Sequence, residues 1–226
     1  MAAHRRRSGR ARGSGNGTGR ADKFLTTALR LFAERDYAAV TMQDIARACR
    51  ANHSLIYYYF RNKKALFNAA IEHLIEVTIT RYERVAAQHH GDPVALLNDW
   101  IDTNIELAPE LRMLVKVLFD YAGPRGRSVS VDKAIKRFYG YDRQIIHRGI
   151  KQGVDLGLFK PVDVDRTASF VSSQIDGIFF GAMMRADVNL IDKMEELRRF
   201  LWELLGYRAA AKPPRRRRTT APRLRP

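Results

Sequence analysis

Apolar residues recur at intervals of three and four along most of this chain, the spacing that places them on one face of an α-helix. The first clear run contains Phe24, Leu25, Ala28, Leu31 and Phe32. The same periodicity continues to about residue 205, and the apolar–polar alternation typical of β-strands is nowhere sustained. The pattern therefore predicts an all-α fold of about nine helices.

Residues that start and stop helices divide this pattern into separate elements. Thr41 followed by Asp44 predicts a capping box at the start of one short helix, and Asn52 is a suitable N-cap for a second. A long helix is expected to begin near Lys63, with Val77 among its inward-facing residues. The same signals predict helix starts at Asp92-Pro93 and Pro109, helices over about 131–151, 164–185 and 190–205, a loop over 153–161 and a C-capping Gly206.

The net charge of +16 is concentrated at the two ends of the chain. Residues 1–20 contain six arginines, residues 208–226 contain seven arginines and one lysine, and neither segment contains an acidic residue. Both segments are poor in large apolar residues, so we expect two unstructured basic tails. Runs of like charge are usually solvated and often contact polyanions, which leaves nucleic acids and anionic membrane surfaces as candidate partners.

Other features of the sequence exclude several classes of protein. The single cysteine, Cys49, rules out an internal disulfide framework, and no apolar run of a secretory signal follows the arginine-rich start. No apolar stretch approaches the roughly 18 residues that a membrane helix requires, so we expect a soluble cytoplasmic protein without a membrane partner. The six histidines lack metal-ligand spacing, and no phosphate-loop, Gly-x-Ser-x-Gly or Cys-x-x-Cys motif occurs. The sequence thus predicts no enzyme, no metal site and no cofactor.

Segment 41–66 has the pattern of a helix-turn-helix. Cys49-Arg50-Ala51 separates two short helices, and Ala46 and Ala48 on the first allow the second to pack closely. In such units the N-terminal end of the second helix enters the major groove of DNA. The residues that this second helix presents away from its apolar side are His53, Ser54, Tyr57 and Tyr58.

The same region resembles the DNA-binding region of the TetR (tetracycline-repressor-like) transcription regulators. The similarity is carried by the runs Leu31 to Tyr37, Thr41 to Ala46, Ile56 to Phe60 and Asn62 to Leu66. It implies a helix-turn-helix domain over 21–66, followed by a ligand-binding and dimerisation domain over 67–207. It also implies a regulator, more often a repressor than an activator, that binds a palindromic operator in double-stranded DNA as a homodimer and is released by a small, mostly apolar effector.

The resemblance also implies which residues meet DNA. Thr41, Tyr57, Tyr59 and Lys63 occupy positions that contact phosphates, and Thr41 would stand at a helix N-terminus that attracts anions. His53 and Ser54 are then the best candidates for reading base edges, and the further candidates are Gln43, Arg50, Asn52 and Tyr58. For Tyr59 and Phe60 packing in the core is an equal alternative. Arg50 stands where the family usually has glycine, so it either adopts a strained left-handed conformation or the turn has another geometry.

The remaining residues are assigned by the same resemblance. A four-helix bundle formed by the last two helices of each subunit would use Val171, Ile175, Ile178, Phe179, Ala182, Met183, Leu197, Leu201 and Leu205. The alternative is that this face packs only within its own subunit. An effector site in the middle of the chain would draw on Trp100, Asn104, Met113, Phe119, Phe138, Tyr141 and Gln144, each of which is also a plausible core residue.

A second function remains open on composition alone. The arginine-rich tails would also suit a less specific, architectural nucleic-acid-binding protein, whose affinity would come from phosphate contacts and fall steeply with salt. Sequence preference in the absence of the tails distinguishes this function from that of a specific regulator.

Overall fold

The computed structural model describes residues 15–123 and 127–208, and these residues form nine α-helices and no strand. The predicted all-α architecture is confirmed. None of the described helices has both the length and the apolar composition needed to cross a bilayer. The helices are α1 (Gly15–Ala39), α2 (Met42–Ala48), α3 (His53–Tyr59), α4 (Lys63–Gln88), α5 (Pro93–Glu106), α6 (Ala108–Ala122), α7 (Val129–Asp155), α8 (Val164–Met184) and α9 (Leu190–Leu204).

Helix α1 begins earlier than the sequence indicated. It starts at Gly15, inside the segment 1–20 that was assigned to an unstructured tail, while residues 1–14 and 209–226 lie outside the described part. Extending an existing helix costs less than starting a new one, so a residue composition typical of a tail is a weak guide to a helix end. Near its other end α1 is interrupted at Asp36, whose φ of 63° and ψ of 158° are not helical.

The interruption at Asp36 brings the next residues against helix α6. The Tyr37 amide donates to Asp120 Oδ2 at 2.8 Å, and Lys116 Nζ donates to the Ala33 carbonyl at 3.3 Å. The end of α1 is therefore fastened to α6 by two polar contacts, in addition to the apolar packing of α1 on α4.

Helix α4 joins the two ends of the molecule. Its N-terminal half packs on α1, where Phe67 meets the rings of Phe32 and Tyr37 at centroid distances of 5.1 and 4.7 Å. Its C-terminal half packs on α5, α6 and α7 and buries Ile79 and Tyr82. Val77 is 43% exposed, so its predicted inward orientation is wrong. The buried residues keep the 3.6-residue helical period on either side of Val77, and it falls between them.

Most of the predicted helix boundaries are observed. The Asp92 side chain accepts from the Ala95 amide at 2.9 Å and caps α5, and Gly206 follows α9 with a φ of 65°. Helix α7 is longer than the predicted 131–151, because Gly153 continues the helix instead of opening a loop. The missing side chain of Gly153 makes room for the buried ring of Phe159.

A group of buried polar side chains lies where α4, α5, α7 and α8 meet. Tyr82 Oη donates to Asn104 Oδ1 at 2.8 Å, and Asn104 Nδ2 donates to the Trp100 carbonyl at 2.9 Å. Asp142 accepts from Trp100 Nε1 at 2.9 Å and from Ser172 Oγ at 2.8 Å. These bonds satisfy groups that would be costly to bury alone, and they fix how the four helices pack.

Two glycines of α7 should respond oppositely to replacement by alanine. At Gly153 a Cβ would lie 2.0 Å from the Phe159 ring, whereas at Gly140 it would meet nothing within 4 Å. We expect Gly153→Ala to lower the free energy of unfolding by about 1–3 kcal/mol through overpacking. Gly140→Ala, the control, should raise it by about 0.5–1 kcal/mol through helix propensity. Urea denaturation followed by circular dichroism measures both, and a Gly153→Ala protein as stable as the wild type would contradict the packing described.

Candidate nucleic-acid interface and ligand cavity

Helix α2 begins with the capping box that the sequence predicted. The Thr41 hydroxyl accepts from the Asp44 amide at 3.1 Å, and Asp44 Oδ2 accepts from the Thr41 amide at 2.9 Å and from its hydroxyl at 2.6 Å. These hydrogen bonds from Thr41 lower the pKa of the Asp44 carboxyl below its ordinary value. Thr41 is exposed, as a phosphate contact requires, but its hydroxyl and amide already serve the cap.

The turn between α2 and α3 has the left-handed geometry at Arg50. Its φ is 53°, the Ala51 amide donates to the Ala46 carbonyl at 2.9 Å, and the Arg50 amide donates to the Arg47 carbonyl at 3.0 Å. This pair of bonds is a Schellman motif, which normally places glycine where Arg50 stands. The first of the two geometries considered for Arg50 is therefore the observed one, and its side chain is exposed.

Helix α3 divides cleanly into a buried side and an exposed side. Ile56 is fully buried and Leu55 is half-buried. The exposed side carries His53, Ser54, Tyr57 and Tyr58, at positions that share one helical face; the His53 and Tyr57 rings are 4.9 Å apart and Tyr58 is 81% exposed. Asn52 is exposed too, and its side chain caps the helix by accepting from the Ser54 amide at 3.2 Å.

Aromatic packing holds α3 against α1. The rings of Tyr59 and Phe60 lie 5.9 and 6.5 Å from the ring of the buried Phe24. Tyr59 is half-buried, which fits the core-packing alternative and leaves only part of its surface for a phosphate. Lys63 lies 3.3 Å from the Ala38 carbonyl and 4.3 Å from the centre of the Tyr37 ring, so its ammonium group already has partners within the protein.

Some basic residues near this surface were not singled out from the sequence. Arg47 on α2, Arg61 between α3 and α4, and Lys64 at the start of α4 are exposed, as is the predicted Gln43. Their basic side chains at polar positions were the available signal, but single exposed basic residues are too common to stand out. Arg47, Arg61 and Lys64 thus add exposed positive charge to the segments next to α3 in the chain.

The residues proposed for an effector site do not form one group. Asn104 and Phe138 line a cavity of about 40 Å³, and Phe119 is exposed in a groove of about 280 Å³ beside it. Trp100 is fully buried behind this cavity, and Met113 and Tyr141 are half-buried residues that line neither space. Gln144 is exposed in a separate polar hollow with His89 and His147. Helical spacing did not reveal which residues share a lining, because the lining comes from five helices.

The predicted dimer face requires a larger correction. Six of the nine residues are buried in their own subunit, because this stripe of α8 and α9 is the one that packs on the rest of the helical domain; they are Val171, Ile175, Phe179, Leu197, Leu201 and Leu205. Ile178, Ala182 and Met183 are half-buried. The apolar residues that α8 and α9 do expose include Phe170 and Phe200, whose rings are 6.2 Å apart.

Metal binding has no candidate centre in the part of the chain that the structure describes. Residues 15–123 and 127–208 contain no group of three or more His, Cys, Asp and Glu side chains that could hold an ion. The His89–Asp99 pair, 2.6 Å apart, and the His147–Asp165 pair, 3.5 Å apart, are isolated contacts.

Comparison with known sequences identifies the N-terminal region. Residues 24–70 match the family described as bacterial regulatory proteins, tetR family. The uncharacterized HTH-type transcriptional regulator YerO of Bacillus subtilis is 31% identical over 72 residues, which are 32% of this chain and 25% of that protein. The chain therefore spans only a quarter of that relative's length. YfiR of the same organism, also an uncharacterized HTH-type regulator, is 25% identical over 74% of this chain and 83% of its own.

Solved structures share the fold over most of the chain. A transcriptional regulator from Saccharomonospora viridis, in complex with choline, superimposes with a TM-score of 0.70 at 21% identity, covering 81% of this chain and 96% of its own. The complex of SmeT, from Stenotrophomonas maltophilia, with triclosan gives 0.66 at 18% identity over 82% and 90%. The relatives named here are transcriptional regulators and not enzymes. Residues 24–70 thus match the DNA-binding region of the tetR family of bacterial regulatory proteins, and the described residues share the all-helical fold of these solved structures.

Proposed function

We propose that this protein is a ligand-responsive, cytoplasmic repressor that binds a palindromic operator in double-stranded DNA as a homodimer and is released by a small effector. The observation that carries the proposal is the exposed face of α3. Four polar or aromatic side chains lie there on a helix that is capped at Asn52 and fixed to the core by Ile56. A helix held in this way has the width and rigidity to lie in a major groove.

Within this proposal His53 and Ser54 read base edges, because they occupy the first turn of α3. Tyr57 and Tyr58 reach bases or the neighbouring backbone. Phosphate contacts come from the exposed Arg50, Gln43 and Arg47, and from Lys63 once DNA competes with the Ala38 carbonyl for its ammonium group. Phosphate contacts position the protein, and base contacts give it specificity.

A homodimer is proposed from the exposed side of α8 and α9. Phe170, Ile178 and Phe200 flank a groove there, with Lys193 and Glu196 paired at 2.6 Å along its edge. At Gly177, on the exposed side of α8, a Cβ would meet nothing within 4 Å of its own subunit, so a partner helix has room to approach. The two copies of α3, spaced at about 34–36 Å, would then reach successive major grooves.

Release by an effector is proposed from the position of α4. Tyr82 at one end of this helix lines the cavity, and Lys63 at the other end adjoins the DNA-binding face. A ligand that moves Tyr82 therefore acts on α4, the helix against which α1 packs. Choline and triclosan are bound by proteins of the same fold, which supports a small-molecule effector without identifying it.

Sequence-selective binding should survive removal of the arginine-rich ends. We expect a chain of residues 15–208 to enrich the same palindromic site from a random DNA library as the full chain. The lost tail charges should weaken its binding in a salt-dependent way, with log K against log salt shallower by about 0.9 for each lost phosphate contact. Parallel selections with both chains, followed by anisotropy titrations at several salt concentrations, measure this. Loss of all sequence preference in the shorter chain would favour the architectural function and contradict the proposal.

Substitutions of base-reading residues and of phosphate-binding residues should have different effects on DNA binding. His53→Ala should change the ranking of DNA sequences, whereas Lys63→Ala should weaken all sequences alike and reduce the salt slope by about 1. Lys136→Ala, an exposed change on α7, is the matched control and should alter neither. Binding to a panel of single-base variants of the selected site gives the comparison. If His53→Ala and Lys63→Ala had the same pattern across the panel, the assigned roles would be wrong.

The proposed dimer should depend on the exposed aromatic side chains of α8 and α9. Phe200 is 46% exposed, and Phe200→Glu should place a charge in the interface and convert the dimer to a monomer with an unchanged helical spectrum. Leu156→Glu introduces the same charge at a 56% exposed leucine outside this face and should leave the dimer intact. Sedimentation velocity distinguishes the two species. A Phe200→Glu protein that remains dimeric would place the interface elsewhere.

A further inference from the structure

The cavity in the C-terminal domain has a polar floor. Its lining comes from α4 to α8 and includes Tyr82, Asn104, Asp142 and Ser172 among mostly apolar side chains. At about 40 Å³ it has room for little more than a water-sized group. A larger ligand must therefore place most of its body outside this space.

The adjoining groove provides that outer space. It has a volume of about 280 Å³ and shares Val115, Leu118, Tyr139 and Asp176 with the cavity, so the two spaces adjoin. Its outer wall carries Phe119 and Phe180, which are 55% and 44% exposed, with ring centroids 5.7 Å apart. An apolar body would rest on these two rings.

The charge along this path is entirely negative. Asp142 and Asp176 are part of the lining, and no lysine, arginine or histidine is found among the described residues that line either space. The hydrogen-bond donors to Asp142 are the neutral groups of Trp100 and Ser172. Burial raises the pKa of the Asp142 carboxyl to about 6 and also raises the pKa of Asp176. Asp142 is buried and Asp176 is exposed; a carboxylate buried without a cation is costly, and a cation bound nearby would reduce that cost.

Aromatic rings stand beside these carboxylates. Tyr82 and Phe138 are stacked with centroids 6.2 Å apart, and Tyr139 meets Phe138 edge-on at 5.3 Å. The Tyr139 hydroxyl donates to Asp176 Oδ1 at 3.3 Å, a long bond at the junction of cavity and groove. Aromatic faces attract organic cations, and most strongly where water is excluded.

A structural role in the fold accounts for Asp142 but not for Asp176. Asp142 holds Trp100 and Ser172, so its presence has a structural reason. Asp176 has no such reason, because it joins only the long bond from Tyr139 and is at the mouth of the cavity. Its carboxylate lies in a lining that contains aromatic rings and no basic side chain.

We propose that the effector is an amphipathic organic cation, a quaternary ammonium compound or a protonated amine. Its charged head lies at Asp176 and against the ring of Tyr139, at the junction of cavity and groove, and its apolar part lies on Phe119 and Phe180. That the bound cation acts as an effector rests on the proposed function, but the binding site itself does not depend on DNA.

Three compounds of similar size test the charge requirement with the full-length protein. Benzyltrimethylammonium is the cation, 2,2-dimethylpropylbenzene is its uncharged isostere, and 3-phenylpropionate is an anion of similar size. We expect the cation to bind at least about tenfold more tightly than either of the others, a difference of about 1.4 kcal/mol. Isothermal titration calorimetry at pH 7.5 measures the three affinities. Equal binding of the cation and its isostere, or no binding of the cation, would overturn the proposal.

Substitutions then locate the site. Asp176→Asn should weaken the cation about tenfold and leave the isostere unchanged. Asp165→Asn is the control, because this acid is on the same helix with a 93% exposed side chain. Asp142→Asn should act in the same direction as Asp176→Asn, and the Asp176 variant decides the matter where the Asp142 protein does not fold. Unchanged binding of the cation by Asp176→Asn would show that the site lies elsewhere.

DNA binding gives an independent readout. If the proposed function holds, benzyltrimethylammonium should release the selected DNA from the wild type and from Asp165→Asn, with about tenfold more required for Asp176→Asn. A protein that binds the cation through Asp176 but shows no sequence-selective DNA binding would refute the proposed function and keep the site. A protein that binds its DNA selectively but prefers the uncharged compound would refute the site and keep the function.

Discussion

Burial of the apolar face of α4 is the interaction on which the other parts of the structure depend. One row of side chains on this helix packs against α1 through Phe67 and against α5 to α7 through Ile79 and Tyr82. Because the row is continuous, the helix-turn-helix and the C-terminal helices share one hydrophobic core. The position of α3 is therefore set by packing that extends to the C-terminal helices around the cavity. Neither end of this core can shift without a cost in packing at the other.

The proposed DNA-binding face is positioned by local backbone chemistry more than by bulk charge. The capping box at Thr41, the Schellman turn at Arg50 and the cap at Asn52 fix where α2 ends and α3 begins. Arg50 adopts a conformation that costs a non-glycine residue roughly 1–2 kcal/mol. The cost is tolerated in a turn whose hydrogen bonds are otherwise complete, and it places a cationic side chain beside the reading helix.

Local signals in the sequence predicted the helices, the caps of α2 and α3 and one of the two geometries considered for the turn between them, because caps and turns depend on neighbouring residues. The dimer face was predicted poorly for a physical reason. Helix α8 is apolar on two sides, with Val171, Ile175 and Phe179 on one and Phe170 and Phe180 toward solvent. Periodicity shows that such stripes exist, but only tertiary packing decides which one enters the subunit's core. Asp142 was missed likewise, since one acid on a mostly polar helix gives no sign of burial.

The attachment of α1 to α6 has a mechanical consequence. Since α1 is held by α4 on one side and by the Tyr37–Asp120 and Ala33–Lys116 contacts on another, the helix-turn-helix is attached to the C-terminal helices at two places. Phe119, which forms the groove wall, is the immediate neighbour of Asp120. A displacement of α6 at the groove would therefore also displace one of these two attachments of α1.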